Sequence, residues 1–243
     1  MQQSIKNNKI LFIVHTHGDE FAPLRAIQNV IKHKGKEYIE RCADFLIANP
    51  IATEKNVRFI DIDLNRIYPG NINSELYEER RAVEVLEIAR SYMYVIDMHT
   101  TISNSDIFII VSKPTSHNLK LAKQLSINNI VIWESISGRT TGPITSYVES
   151  AVGVECSINN KNCVEIFEHF IIDTIDTLYA HKVCNTPKEI YKVTGSISYD
   201  NQVLRSEVKD FVALHCGHRI VYPLLCNQYK DKLCYVMEKI DNK

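Results

Sequence analysis

Residues 10–14 (ILFIV) form an unbroken apolar run of strand length, the pattern of a strand buried on both faces. The run leads straight into His15-Thr16-His17-Gly18-Asp19-Glu20, after which Leu24, Ile27, Val30 and Ile31 recur at helical spacing. Residues 45–48 are a second apolar run, halted by the turn signal Asn49-Pro50. Residues 51–70 show no helical period and are dense in polar and charged side chains, the texture of a long functional loop. Ser74, with Tyr77 and Glu78 downstream, opens a helix that carries Val83, Leu86 and Ile88 towards Arg90. Residues 94–96 predict a short strand that delivers Asp97-Met98-His99-Thr100-Thr101.

Residues 106–111 and 130–133 read as two further strands, with a helix over 117–125 between them. Residues 152–156 read as another strand, with Glu155 at its end, and a helical pattern runs from Cys163 to about His181. This alternation predicts an α/β fold, with a mixed, mostly parallel sheet and helices on both faces. After Asn185-Thr186-Pro187 the texture changes to strand-like segments at 191–199, 211–214, 219–225 and 233–237, parted by polar or Gly-containing turns. The expected organisation is a catalytic domain over 1–184 and a small β-rich C-terminal subdomain over 185–243. No internal repeat or low-complexity segment interrupts it.

Composition narrows the partners. The 243 residues are 45% hydrophobic and 23% charged with a formal net charge of -1, which supplies no electrostatic reason for a nucleic-acid or membrane partner. No apolar run approaches the ~20 residues needed to span a bilayer, and residues 1–9 lack the apolar core of a signal peptide. Seven cysteines without a C-x-x-C pair read as reduced thiols, so the expected location is the cytoplasm.

The chemistry gathers where ligands bind in open α/β sheets, beyond the carboxyl ends of strands. His17 and Glu20, three residues apart in the turn after the first strand, lie on one side of a helical turn and can reach one ion. Alone, the pair equally describes a helix N-terminus where Asp19 and Glu20 meet the dipole. His99, just past a strand, adds a third donor. Two His and one Glu form the ligand set of a catalytic zinc with a position left for water, and a similar set also holds Fe(II). Arg58, Asp63, Asn65 and Arg66 in the long loop combine a carboxylate-matching guanidinium fork with an amide donor, although a solvated charged loop has the same composition. Glu155 is a strand-end carboxylate suited to proton transfer, or a surface glutamate. His15 reads as a buried or supporting residue, the His215-Cys216-Gly217-His218 segment as a turn, and Phe167, Phe170, Ile171 and Ile175 as core.

The blocks His17-Gly18-Asp19-Glu20, Asn49-Pro50, Arg58, Asp63-Leu64-Asn65-Arg66-x-x-Pro69-Gly70, Asp97-Met98-His99-x-Thr101 and Val152-Gly153-Val154-Glu155 occur in an order that resembles the succinylglutamate desuccinylase and aspartoacylase family, relatives of the zinc carboxypeptidases. The resemblance spans roughly residues 10–160 and continues more weakly into the tail at Tyr222-Pro223 and Tyr229. It implies one zinc per chain held by His17, Glu20 and His99, with Glu155 as the general base. It further implies that Arg58 polarises the scissile carbonyl, that Asn65 and Arg66 clamp a substrate carboxylate, and that Asp63 orients a ligating histidine. It also makes Tyr229 a candidate for a substrate hydroxyl contact. Aspartoacylases carry an arginine ten residues before the catalytic glutamate, where this chain has Thr145; Arg139 lies nearby.

The implied activity is zinc-dependent hydrolysis of the amide bond of an N-acyl amino acid or a similar small carboxylate-bearing amide. Two alternatives stand beside it: a carboxypeptidase-like peptidase, and a catalytically silent metal- or ligand-binding protein on the same scaffold. The acyl group, the amino-acid side chain and the oligomeric state stay open.

Overall fold

The computed structural model describes residues 7–134, 140–199, 208–216 and 218–240. Arg139 and Gly217 fall outside them, and with them part of the 138–143 loop and of the His215–His218 segment. The apolar run at 10–14 lies in β1 (Asn7–Val14). Ile10, Phe12 and Val14 face one layer of helices, while Leu11 and Ile13 face the other, so no position along the run is left for a polar residue. β1 pairs in parallel with β2 (Ala43–Ile47) and β3 (Tyr92–Thr101), and β3 pairs in parallel with β6 (Ala151–Ser157).

Beyond β6 the sheet turns over. β4 (Phe108–Val111) runs antiparallel to β6, and β5 (Asn129–Ile132) continues parallel to β4. One face is covered by α1 (Phe21–Lys34), α2 (Lys36–Cys42), α5 (Ser116–Gln124) and α6 (Cys163–Leu178). α4 (Tyr77–Arg90) packs on the opposite face through Ala82, Val85, Leu86 and Ala89. The expected α/β sheet with helices on both faces is the observed fold. Among the described residues no helix is long and apolar enough to cross a membrane.

In the tail, β7 (Glu189–Ile197) pairs in parallel with β5, and β10 (Cys234–Ile240), β9 (Arg219–Leu224) and β8 (Leu214–Cys216) follow in antiparallel order. The ladder therefore passes from the first part of the chain into the tail, giving the order β2-β1-β3-β6-β4-β5-β7-β10-β9-β8. The tail is also latched to β3 and the turn after it. Thr101 Oγ1 donates to Gln228 Oε1, and Ser103 Oγ donates to Asp210. The other oxygen of Asp210 accepts the Cys226 N–H at 2.9 Å.

Several segments differ from the expected elements, the unexpected helix α2 among them, and three have a plain physical reason. Residues 50–55 form a short helix, α3 (Pro50–Lys55), because Asn49 caps it by accepting the Ala52 N–H at 3.3 Å and Pro50 fits the first turn. Six residues are too few to register an apolar period. β3 runs to Thr101 rather than ending near Ile96, because its pairing with β6 continues to Thr101; the polar yet almost fully buried Asp97, His99 and Thr101 hide this in the apolar pattern. Residues 211–213 are not a strand; Phe211 holds a left-handed φ of 62°, which breaks an extended ladder.

Candidate active site

The carboxyl ends of β1, β3 and β6 converge on one buried cluster. After β1 the chain turns sharply at His15 (φ 53°) and Gly18, then enters α1 one residue after Glu20. Gly18 packs directly on α3: a Cβ there would stand 2.2 Å from the Ala52 carbonyl carbon and 2.4 Å from the Thr53 nitrogen. Its N–H donates to the Arg58 carbonyl at 3.1 Å, joining the turn to the long loop. Gly18→Ala is expected to push α3 and the turn apart. Differential scanning should show a lower melting temperature, and metal titration a loss of affinity of at least ~10-fold.

His17, Glu20 and His99 are all buried, and their donor atoms lie within 4.8 Å of one another. Both histidines turn Nδ1 to the same carboxylate: His17 Nδ1 is 2.6 Å from Glu20 Oε1, and His99 Nδ1 is 3.2 Å from Glu20 Oε2. Each far nitrogen has a carboxylate of its own. His17 Nε2 meets Asp63 Oδ1 at 3.0 Å, and His99 Nε2 meets Asp97 Oδ2 at 2.9 Å. A carboxylate on the distal nitrogen fixes the tautomer and the ring orientation, the arrangement that metal-ligating histidines use.

Asp97 had no role in the sequence reading, although D-x-H contains the signal. Period two puts Asp97 and His99 on one face of β3, and Thr16 Oγ1 donates to Asp97 Oδ1 at 2.8 Å to complete the line. The electrostatics follow this arrangement. Burial raises the cost of charge on Glu20, yet His17 and His99 outweigh it and hold the carboxyl well below the usual range. Burial likewise opposes charge on His99, and Asp97 and Glu20 overcome it, so its pKa rises well above the ordinary value. His17 shifts upward for the same reason through Glu20 and Asp63.

Glu155 is the register partner of His99 in the parallel β3–β6 pair, so both side chains leave the same face of the sheet, ~4.8 Å apart at the backbone. Burial pushes its carboxyl up to about 7, while His99 and His17 pull the other way. The loop supplies the rest. Arg58 reaches Asp63 Oδ2 at 3.3 Å and Glu20 Oε1 at 3.6 Å, and stays partly exposed. Asp63 Oδ1 also caps the short 3-10 helix Leu64–Arg66 by accepting the Asn65 N–H at 2.9 Å. Asn65 Oδ1 is buried with no hydrogen-bond partner, and Arg66 is exposed beside it. Tyr229, from the tail, lies close enough for Arg66, Glu155 and Arg58 to influence its hydroxyl, whose pKa is raised chiefly by burial.

His15 and Thr145, the position where aspartoacylases carry an arginine, stay outside the cluster. His15 Nδ1 pairs with Thr53 Oγ1 at 3.0 Å, and its ring stands edge-on to Phe21. Thr145 is buried, with its hydroxyl donating to Ser112 at 3.0 Å.

The catalytic-domain model of the succinylglutamate desuccinylase/aspartoacylase family matches residues 6–163. The chain belongs to this family. The chain is 34% identical over 119 residues to a probable aspartoacylase of Prochlorococcus marinus, covering 42% of this chain and 38% of that protein. It is 33% identical over 132 residues to an N-acyl-aromatic-L-amino acid amidohydrolase (carboxylate-forming) of Xenopus laevis, covering 49% and 42%. The chain thus spans about two fifths of the length of these two curated relatives. Murine aminoacylase 3 shares the fold with a TM-score of 0.76 at 18% identity, over 99% of this chain and 97% of that one.

Proposed function

We propose that this family member is a hydrolase with one zinc per chain, cleaving the amide bond of an N-acyl amino acid or a similar small carboxylate-bearing amide. One observation carries the reading: two buried histidines face a shared carboxylate, each with its distal nitrogen held by a separate aspartate, beside a further carboxylate on the next strand. Nitrogen, oxygen and nitrogen donors of this kind fit zinc, and the paired aspartates fit the orienting partners that ligating histidines require. When bound there, zinc would supply Lewis acidity towards the scissile carbonyl and towards water.

The chain's own groups would do the rest. Asn65 and Arg66 would hold the substrate carboxylate, the guanidinium through a charge-assisted fork and the amide through a neutral donor. Arg58 would hydrogen-bond the scissile carbonyl oxygen and meet the negative charge that grows there as water adds. Glu155 would take the proton from the attacking water and hand it to the departing nitrogen, so that the C–N bond breaks as the amine leaves neutral. Tyr229 and the 185–243 segment would close the mouth of the site. Seven unbonded cysteines suit a reducing, cytoplasmic setting.

The test is elemental analysis of the purified protein, followed by turnover on a panel of N-acyl amino acids and short peptides. About one zinc with turnover on an N-acyl amino acid supports the reading. Turnover on peptides alone moves the protein to the peptidase alternative, zinc without turnover to the silent one, and failure to bind metal overturns the proposal. Arg66→Ala is expected to raise KM by ~10–100-fold for substrates with a free carboxylate, the worth of a hydrogen bond to a charged group. Amidated analogues should change little; equal losses for both would remove Arg66 from the clamp.

A further inference from the structure

Glu78 is the second residue of α4 and is fully buried. A buried carboxylate is costly unless its oxygens are met by donors. Here four donors converge on it. Oε1 accepts Ile60 N–H at 2.6 Å and Asn49 Nδ2 at 3.1 Å, while Oε2 accepts Asp61 N–H at 3.0 Å and Ile62 N–H at 3.2 Å. All four donors are neutral, so main-chain dipoles, together with the N-terminal end of α4, balance the charge.

The three consecutive N–H groups lie in the middle of the loop that carries Arg58, Asp63, Asn65 and Arg66. That stretch has no ladder of its own, and its N–H groups need partners from elsewhere. The loop is fastened upstream where Arg58 O accepts from Gly18, and downstream where Asp63 meets His17. Asp61 Oδ2 adds a second tie to α4 by accepting the Tyr77 N–H at 2.8 Å. Between these points Glu78 and the Asp61–Tyr77 bond hold the loop to α4, and through Asn49 Glu78 also joins the β2–α3 turn.

We infer that Glu78 is a positioning residue: it clasps residues 60–62 and thereby sets where Arg58 and Arg66 meet the substrate, without touching the substrate itself. This rests on the proposed roles of those arginines. His99, Glu20 and Glu155 are held by other elements, so the carboxylate acts first on the substrate-facing loop; Asp63, the partner of His17, follows the clasp directly, and zinc content is therefore read separately. Gln keeps the size of the side chain but turns an NH2 group towards main-chain N–H donors. The loop must then move, and a displacement of ~1 Å at a reacting centre costs on the order of 10²-fold in rate.

The experiment is a double-mutant cycle of Glu78→Gln and Arg58→Ala, with zinc content and melting temperature followed throughout. Glu78→Gln alone is expected to lower kcat/KM by ~10–100-fold with zinc content unchanged. In the Arg58→Ala background it should cost several-fold less, because both changes remove the same alignment. Full multiplication of the two losses, or a loss that tracks zinc content, overturns the inference. Amide exchange in the wild type provides a reading that needs no variant. Slow exchange at Ile60, Asp61 and Ile62 relative to Phe59 supports the clasp, and equally fast exchange refutes it. If the wild type turns over no substrate, the proposed reaction fails, while the exchange measurement still judges the clasp.

Discussion

Glu155→Gln is expected to lower turnover by ~10²–10⁴-fold while zinc content stays at the wild-type level. The glutamine has the shape of the native side chain and fills the same place on β6, so the fold has little reason to respond. What it loses is the ability to take a proton. Glu155 stands beside His99 as its register partner but is absent from the ligand cluster, which separates its loss from loss of the metal. Burial lifts its carboxyl to about 7, against the pull of His99 and His17. In the proposed role Glu155 would work in its deprotonated form, so kcat/KM should rise with pH along an acid limb, which a cation at His17, Glu20 and His99 would draw below that value. The limb should be missing from the residual activity of the variant. Turnover within a few-fold of wild type would remove Glu155 from the base role.

His99→Ala should empty the site and abolish turnover on every substrate. Three protein donors leave no redundancy: the two that remain, His17 and Glu20, come from one short turn, and nothing from β3 would close the cluster. Asp97→Asn grades the same effect. The amide still fits between Thr16 and His99, but it no longer holds the Nε2 proton with a charge. Metal affinity or activity is then expected to fall by ~10–100-fold, the usual worth of an orienting partner. Metal titration by calorimetry separates the two variants. Wild-type affinity in His99→Ala would dismiss the assigned ligand set, and an unaffected Asp97→Asn would leave the aspartate without a role in orienting the histidine.

Much of this protein can be read along the chain. The continuous apolar run in β1 requires burial on both faces, and the strand–helix alternation requires a covered sheet, because these are properties of local period and of the side chains themselves. The spacing of His17 and Glu20, and the D-x-H of β3, likewise follow from the geometry of a helical turn and of a strand. The extent of β3 could not be read so, since Asp97, His99 and Thr101 interrupt the apolar pattern and find their buried partners, Thr16, Glu20 and Gln228, only in the folded chain. Nor does the sequence say that Glu20 stands between two histidines 82 positions apart, or which nitrogen each ring offers. It leaves Glu78 as an ordinary acid in the first turn of a helix. Tertiary packing alone turns its carboxylate inward onto residues 60–62 and lays the tail, with Tyr229, beside Arg58, Arg66 and Glu155. Local sequence sets which face of an element a side chain occupies; which partner that face meets depends on how the elements pack.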